Sequence, residues 1–397
     1  MNHPVPQGFR LAGVHCGIKS NAAKEDLTLI VADADAVAAG VYTQNLVVAA
    51  SVTQNRAKTP CENFRVVVVN SGNANACTGS RGAEDSRAMA RLAAEAVGGS
   101  EEQALVMSTG IIGHFLPMDK IERGIAAATA KLGTNHSAFE SAVRGITTTD
   151  KFLKTASRSV EIGGQPVQIT AMAKGAGMIG PNMATMLCVV MTDARLSAPV
   201  AQEMLTQAAE RSFNCISVEG HTSTSDTALL LASGASGVAP DNTADRAVFQ
   251  QSLDDVCIEL AKLIPSDGEG ATHLITLDVT GCATRVDARR IAKTVSESPL
   301  VKTAITGNDP NWGRIVSAAG YAGVAFDPDK VTLTINDTLI YEAGMPVGYD
   351  EKQVSESMRD NHEVHLVLAF SEGDADVRFW ASDLTVEYVQ FNSDYST

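Results

Sequence analysis

An α/β fold, in which sheets are covered by helices, is predicted for this 397-residue sequence by three observations. Short apolar runs rich in Val, Ile and Leu alternate with longer amphipathic stretches, the pattern of a sheet-plus-helix domain. Most of the short runs are bounded by Gly, Asn, Asp or Pro, which punctuate strands. Hydrophobic residues make up 45% of the chain and charged residues 19%, the balance of a globular protein rather than a disordered or fibrous one. At this length roughly 75% of the unfolded surface is buried on folding, so a large core needs no disulfide staples.

In chain order, strands are predicted over 27–31, 65–70, 104–108, 167–171, 185–192, 228–232, 274–279, 331–335 and 364–370. Helices are predicted over 83–97, 118–132, 198–212, 243–263 and 351–359. In the fourth of these, Leu253, Val256, Leu260 and Leu263 recur at helical spacing and form one buried stripe. Asp or Ser near several helix starts would cap orphan N–H groups. No internal repeat and no low-complexity linker is visible, and a second lobe is expected after Gly281.

The net charge of −15 argues against nucleic acid, whose phosphates demand a basic footprint. Residues 1–184 carry 17 basic and 15 acidic groups, whereas 185–397 carry 14 and 31. The acidic half reads as a solubilising surface, with a complementary contact between the halves as the alternative. The seven cysteines are odd in number, scattered and free of any CxxC pair, which fits a reducing cytosol. The start MNHPVPQGFR lacks an apolar signal core and no stretch approaches 18 apolar residues, so neither secretion nor a membrane span is expected.

No phosphate loop of the GxxxxGK[ST] type, HExxH, GxSxG or Cys/His zinc spacing is present. His362 and His365 lie in an alternating, strand-like segment where i and i+3 point to opposite faces, so no metal site is assigned there. Gly175, Gly177 and Gly180 spell GxGxxG, and Asp193 follows at a suitable distance. A dinucleotide site also needs a helix after the glycines to receive the pyrophosphate. Here Pro181 and Asn182 intervene and a β-branched run follows, so a strand is predicted instead.

What remains is a glycine-rich turn that delivers Ala184-Thr185 to the start of a buried strand. Two readings are open at this point. One is a tight strand-turn-strand connection. The other is chemical: a Thr after a flexible turn attacks its own preceding carbonyl, passes through an ester and releases itself as a new N-terminus. Its free α-amine, with a pKa near ~7.7–8.0, then serves as general base for its own hydroxyl. Such a nucleophile needs no His or Asp partner.

KGAGMIGPNMATML resembles the processing site of the ornithine acetyltransferases (glutamate N-acetyltransferases) of arginine biosynthesis. The resemblance runs from GFRLAGVHCGIK through NSGNANACTG, STGIIG, GITTTD, SFNCISVEGHTSTSDT and GEGATH to GNDPNWGRI and NSDYST, and covers essentially the whole chain. It implies a four-layer αββα sandwich, like that of N-terminal-nucleophile hydrolases but connected differently, with a smaller C-terminal α/β lobe. It implies cleavage between Ala184 and Thr185 into an α segment, 1–184, and a β segment, 185–397, whose sandwich part runs to about 280. Two α and two β segments are expected per particle.

The resemblance further implies a ping-pong cycle. N-acetylornithine gives its acetyl group to Thr185, ornithine leaves, and glutamate takes the acetyl group. Many relatives also accept acetyl-CoA as donor; no metal or redox cofactor is implied. Thr109 and Gly110 in STGIIG fall on the oxyanion segment, where each donor is worth ~2.7–4 kcal/mol; without the family they simply end a strand. Lys174 falls on a substrate-binding position suited to a carboxylate, and otherwise reads as a surface lysine. Thr148, the middle Thr of GITTTD, matches another substrate contact, and otherwise a turn.

Glu269 matches a glutamate that holds the amine-bearing substrate, with His273 standing nearby where many relatives carry Lys. Asn392 and Thr397 match a tail that folds over the substrate, although chain ends usually fray. Cys77 is expected as a small buried residue in a turn near the site. Trp312 and Arg314 are expected to pack and pair in the second lobe. The rivals are a related aminopeptidase that lets water take the acyl group, and a non-catalytic amino-acid-binding protein that never cleaves.

Overall fold

The computed structural model describes residues 3–180 and 186–394. Its elements are β1 (Phe9–Val14), β2 (Leu27–Tyr42), α1 (Ala50–Lys58), β3 (Cys61–Asn73), α2 (Gly79–Ala96), β4 (Ala104–Ile111), α3 (Met118–Thr129), α4 (His136–Ile146), β5 (Lys154–Ile162), β6 (Gln165–Lys174), β7 (Leu187–Thr192), α5 (Ala198–Arg211), β8 (Ile216–Ser217) and β9 (Thr227–Ala232). There follow α6 (Thr243–Ser266), β10 (Leu274–Cys282), α7 (Arg285–Glu297), α8 (Pro299–Thr306), α9 (Trp312–Gly320), β11 (Thr332–Ile335), β12 (Thr338–Glu342), β13 (Met345–Pro346), α10 (Glu351–Asp360), β14 (Glu363–Ala369), β15 (Ala375–Ser382) and α11 (Val386–Asp394).

The first sheet has the order β4-β3-β2-β9-β7-β6-β5, with β1 beside β2. Its long strand β2 does two jobs. On one edge Leu27–Ala32 pairs with β1 and Val37–Tyr42 with β9, while on the other edge β3 pairs with Leu27–Val31 and, after a register irregularity, with Ala36 and Ala38. Extra residues in one strand bend it, so the sheet turns back over itself at β2. Alternation of side chains then builds three cores. Leu27, Leu29 and Val31 pack with Met89 and Ile121 of α2 and α3. Ile30, Ala32 and Val67 meet Leu187, Val189, Met191 and Leu229 between the two β layers, where Phe139 of α4 joins them. The opposite faces of β7 and β9, through Cys188, Val190 and Leu230, pack with Leu205, Leu253 and Val256 of α5 and α6. The result is the expected α–β–β–α layering.

A second, mixed sheet has the order β13-β12-β11-β14-β10-β15-β8 and is covered by α7. Helix α6 lies between it and the first sheet, touching β5 and β6 on one side and β15 and β8 on the other. The second sheet therefore shares one continuous core with the sandwich.

The buried stripe of α6 runs through Phe249, Leu253, Val256, Leu260 and Ile264, while Leu263, predicted to belong to it, is only half-buried. Elements that the apolar runs did not announce include β1, α1, α4, β5, α7, α8, α9, β12, β15 and α11. Strand β5 explains why: KTASRSVEI is a polar strand that, among the described residues, lies at the sheet edge beside β6, so it carries no Val/Ile/Leu run. Helices α4, α6, α7, α8 and α10 are capped by the side chains of Asn135, Asn242, Thr284, Ser298 and Asp350.

After the GxGxxG glycines the next element among the described residues is strand β7, where a dinucleotide site would need a helix. His365 pairs with Asp278 at 2.8 Å and His362 meets Ser266 at 3.0 Å. Among the described residues no cluster of His, Cys, Asp or Glu could hold a metal, and no helix is long and apolar enough to cross a membrane. Trp312 stacks on Tyr341 with ring centroids 5.5 Å apart, and Arg314 donates to the Leu300 carbonyl at 2.9 Å.

Candidate functional site

A cavity of about 240 Å³ opens where the ends of β4 and β6, the loop after β8, the turn before β10 and helix α11 come together. Six residues singled out from the sequence line it: Thr109, Gly110, Thr148, Lys174, Glu269 and Asn392. Ala184, Thr185 and Thr397 lie outside the described residues.

Thr109 and Gly110 stand at the end of β4. Gly110 has φ +130°, and a Cβ there would lie 2.3 Å from the Gly72 carbonyl carbon, so only glycine lets β4 lie this close to β3. Lys174 ends β6 and pairs across the sheet with Leu187. Its buried Nζ donates to Thr109 Oγ1 at 3.2 Å. Burial pushes the Lys174 pKa down, while Asp150, Glu269 and Asp226 oppose that and Lys154 adds to it.

Below Lys174 is a buried ion network that the sequence reading did not assign. Lys154, fully buried, donates to Asp150 at 2.7 Å and to Asp267 at 2.5 Å. Asp150 also accepts from Gly175 N–H at 2.8 Å and from Thr148 N–H at 3.0 Å. Burial alone would raise its pKa, but the Lys154 and Lys174 ammonium groups hold it well below the usual carboxylate range. Asp150 thus ties the Thr148 backbone and the glycine turn to the lysine pair. Its signal was in plain sight, as the acidic residue that closes GITTTD.

Glu269 faces this cluster across the cavity. Its N–H donates to the Ala176 carbonyl at 2.9 Å, and its carboxylate accepts from Thr149 Oγ1 at 2.7 Å and Asn392 Nδ2 at 3.2 Å. A Cβ at Gly177 would lie 2.4–2.7 Å from that carboxylate, so the second glycine of KGAGMIG makes room for Glu269. Helix α11 covers one side, where Tyr388 also lines the cavity and its phenol is pushed up to about 12 by burial beside Glu219 and Glu269.

Two further carboxyls come from SFNCISVEGHTSTSDT, a block whose acidic residues the sequence reading left without a role. Glu219 lines the cavity, and burial reinforced by Glu269 pushes its pKa up to about 7. Asp226 is fully buried, accepts from the Met186 N–H at 3.1 Å and is pushed well above the usual carboxylate range by that burial. Ser223, Thr224 and Ser225 complete the wall. Ala74 of NSGNANACTG lines the cavity too, but Cys77 is exposed rather than buried, in a left-handed conformation (φ 58°) just before α2.

Known proteins match this sequence along nearly its whole length. The ArgJ family matches over residues 10–397. A relative from Rhodopirellula baltica, named arginine biosynthesis bifunctional protein ArgJ, is 50% identical over 100% of this chain and 97% of its own. One of the same name from Symbiobacterium thermophilum is 48% identical over 99% of this chain and 98% of its own. Among solved structures, arginine biosynthesis bifunctional protein ArgJ from Bacillus halodurans is 36% identical with a TM-score of 0.51, over 52% of this chain and 98% of that one.

Proposed function

The chain belongs to the ArgJ family, acetyltransferases of arginine biosynthesis, and from that premise we propose that it moves acetyl from N-acetylornithine to L-glutamate on Thr185, after cleaving itself between Ala184 and Thr185. The observation that supports this reading best is the convergence of Thr109, Gly110, Thr148, Lys174, Glu269 and Asn392, far apart in sequence, on one cavity. In sequence Thr185 immediately precedes Met186. Met186 in turn precedes Leu187, the cross-strand partner of Lys174.

In the proposed cycle the Thr185 hydroxyl attacks the acetyl carbonyl and its proton passes to the residue's own α-amine. The carbonyl oxygen becomes an oxyanion between the Thr109 hydroxyl and the Gly110 N–H. Because Thr109 Oγ1 accepts from Lys174, its own hydrogen is left to point at the oxyanion. Collapse breaks the C–N bond, the leaving amine takes the proton back, and an acetyl ester remains on Thr185. Glutamate repeats the steps in reverse. Lys174 offers its ammonium to the substrate α-carboxylate, and Glu269, steadied by Thr149 and Asn392, offers its carboxylate to the side-chain amine of ornithine.

Acetyl-CoA is proposed as an alternative donor, two α and two β segments as the assembly, and the cytoplasm as the compartment. The seven cysteines, all unpaired, accord with a reducing compartment. Neither the aminopeptidase nor the non-catalytic binder is favoured, given the full-length match to acetyltransferases. The deciding experiment is T185A, assayed for cleavage by mass and for acetyl transfer from N-acetylornithine to glutamate. Loss of both is expected, and full transfer by the variant would overturn the mechanism.

A further inference from the structure

Both amines in the proposed reaction travel in water as ammonium ions and react as free amines. Each half-reaction therefore has one proton that the nucleophile and its own base cannot hold: ornithine must gain one on leaving, and glutamate must shed one before it attacks. Lys174 is a donor only, and Glu269 is engaged by Thr149 and Asn392. Glu219 is differently placed. Its Oε1 accepts from Ile179 N–H at 2.6 Å, in the loop that leads towards Thr185. Val218 and Gly220 donate back to the Ile179 carbonyl at 2.9 and 3.1 Å, so the carboxyl is held on both flanks. Its Oε2 is buried with no hydrogen-bond partner among the described residues, although the residue lines the cavity.

Resting on the function proposed above, we propose that Glu219 is the proton carrier of the cycle, giving a proton to the departing ornithine amine and taking one from the arriving glutamate ammonium. One O–H bond breaks at Glu219 as the ornithine N–H bond forms, and the reverse occurs with glutamate, so the carboxyl ends the cycle as it began. A carboxyl that titrates near 7 can do both at neutral pH. The charged and titratable groups around it are Glu269 from the turn before β10, Lys302 of α8, Glu297 of α7, Lys174 of β6, Tyr388 of α11 and His221 of its own loop. Asp226, the other carboxyl of this block with an unpartnered oxygen, is not among the residues that line the cavity.

The test uses the cleaved enzyme, an aryl acetate as donor, whose phenolate leaves without needing a proton, and two acceptors. Glutamate arrives charged, whereas hydroxylamine is largely neutral at pH 7. For E219Q the glutamate-to-hydroxylamine rate ratio should fall by about 10²-fold, and should recover as alkali strips the glutamate ammonium in solution. E219D, which keeps a titratable group, should hold the ratio near that of the parent. Equal slowing with both acceptors, or no change with either, overturns the proposal while the parent's transfer activity still stands. A parent that acetylates neither acceptor overturns this proposal together with the function it rests on.

Discussion

Replacing Glu219 by Gln should stabilise the protein in alkali and not in mild acid. Folding raises this carboxyl from its ordinary 4.5 to about 7, with burial as the main cause. Between those values the unfolded chain has lost the proton and the folded chain keeps it, so stability falls as pH rises through that window. Above 7 the whole cost of ionising a buried carboxyl is present. Linkage puts it at about 3 kcal/mol, of which about 2.5 kcal/mol accrues between pH 5 and pH 8. Gln has the same shape, can still accept from the Ile179 N–H and does not titrate. Urea unfolding of parent and E219Q, at one protein concentration and both pH values, follows the Trp312 and Trp380 fluorescence. The variant's advantage should grow by about 2.5 kcal/mol from pH 5 to pH 8. An equal difference at both pH values would mean that Glu219 is not held protonated.

Three other outcomes are expected. T109A removes one oxyanion donor and should lower kcat by about 10²–10³-fold with little change in KM, measured by steady-state acetyl transfer. K154M leaves Asp150 and Asp267 buried without their shared ammonium and should cost about 3–5 kcal/mol in urea unfolding. Asp150 contributes stability above the ordinary carboxylate pKa, and loses it as pH falls through its lower folded value. K154M should therefore begin to acid-unfold at a higher pH than the parent. G177A places a methyl against the Glu269 carboxylate and should lower kcat/KM for N-acetylornithine by about 10²-fold, while self-cleavage, read by mass, continues.

The parts of the fold legible in the sequence are those whose burial is one-sided or complete. Strands β3, β4, β7, β9 and β14 are continuous or alternating Val/Ile/Leu runs, and α2, α5, α6 and α10 carry amphipathic stripes. Polar edge strands such as β5 lack either signal because a neighbour rather than their own pattern holds them, and in α8 and α9 the apolar face spans too few turns to stand out. The bend of β2 was hidden for a related reason: Asp33 and Asp35 break its apolar run at the point where β9 takes the place of β1 beside it.

At the site, family motifs picked out groups that could face a substrate, and six of these share a cavity. They did not pick out what holds those groups in place. Asp150 stands two residues beyond Thr148, yet its value depends on Lys154 and Lys174 meeting it in space. Glu219 reads in sequence as one more acidic residue of an acidic half, and only its burial against Ile179 and Glu269 sets it apart.

Self-cleavage and acetylation at Thr185 are read most directly from the intact mass of the purified protein under denaturing conditions, before and after brief exposure to N-acetylornithine. Two pieces are expected, residues 1–184 and residues 185–397, with the second gaining one acetyl group at Thr185 and losing it again when glutamate is added. A single uncleaved chain that nevertheless transfers acetyl, or transfer with the label on neither piece, would contradict acetyl transfer through a self-released Thr185.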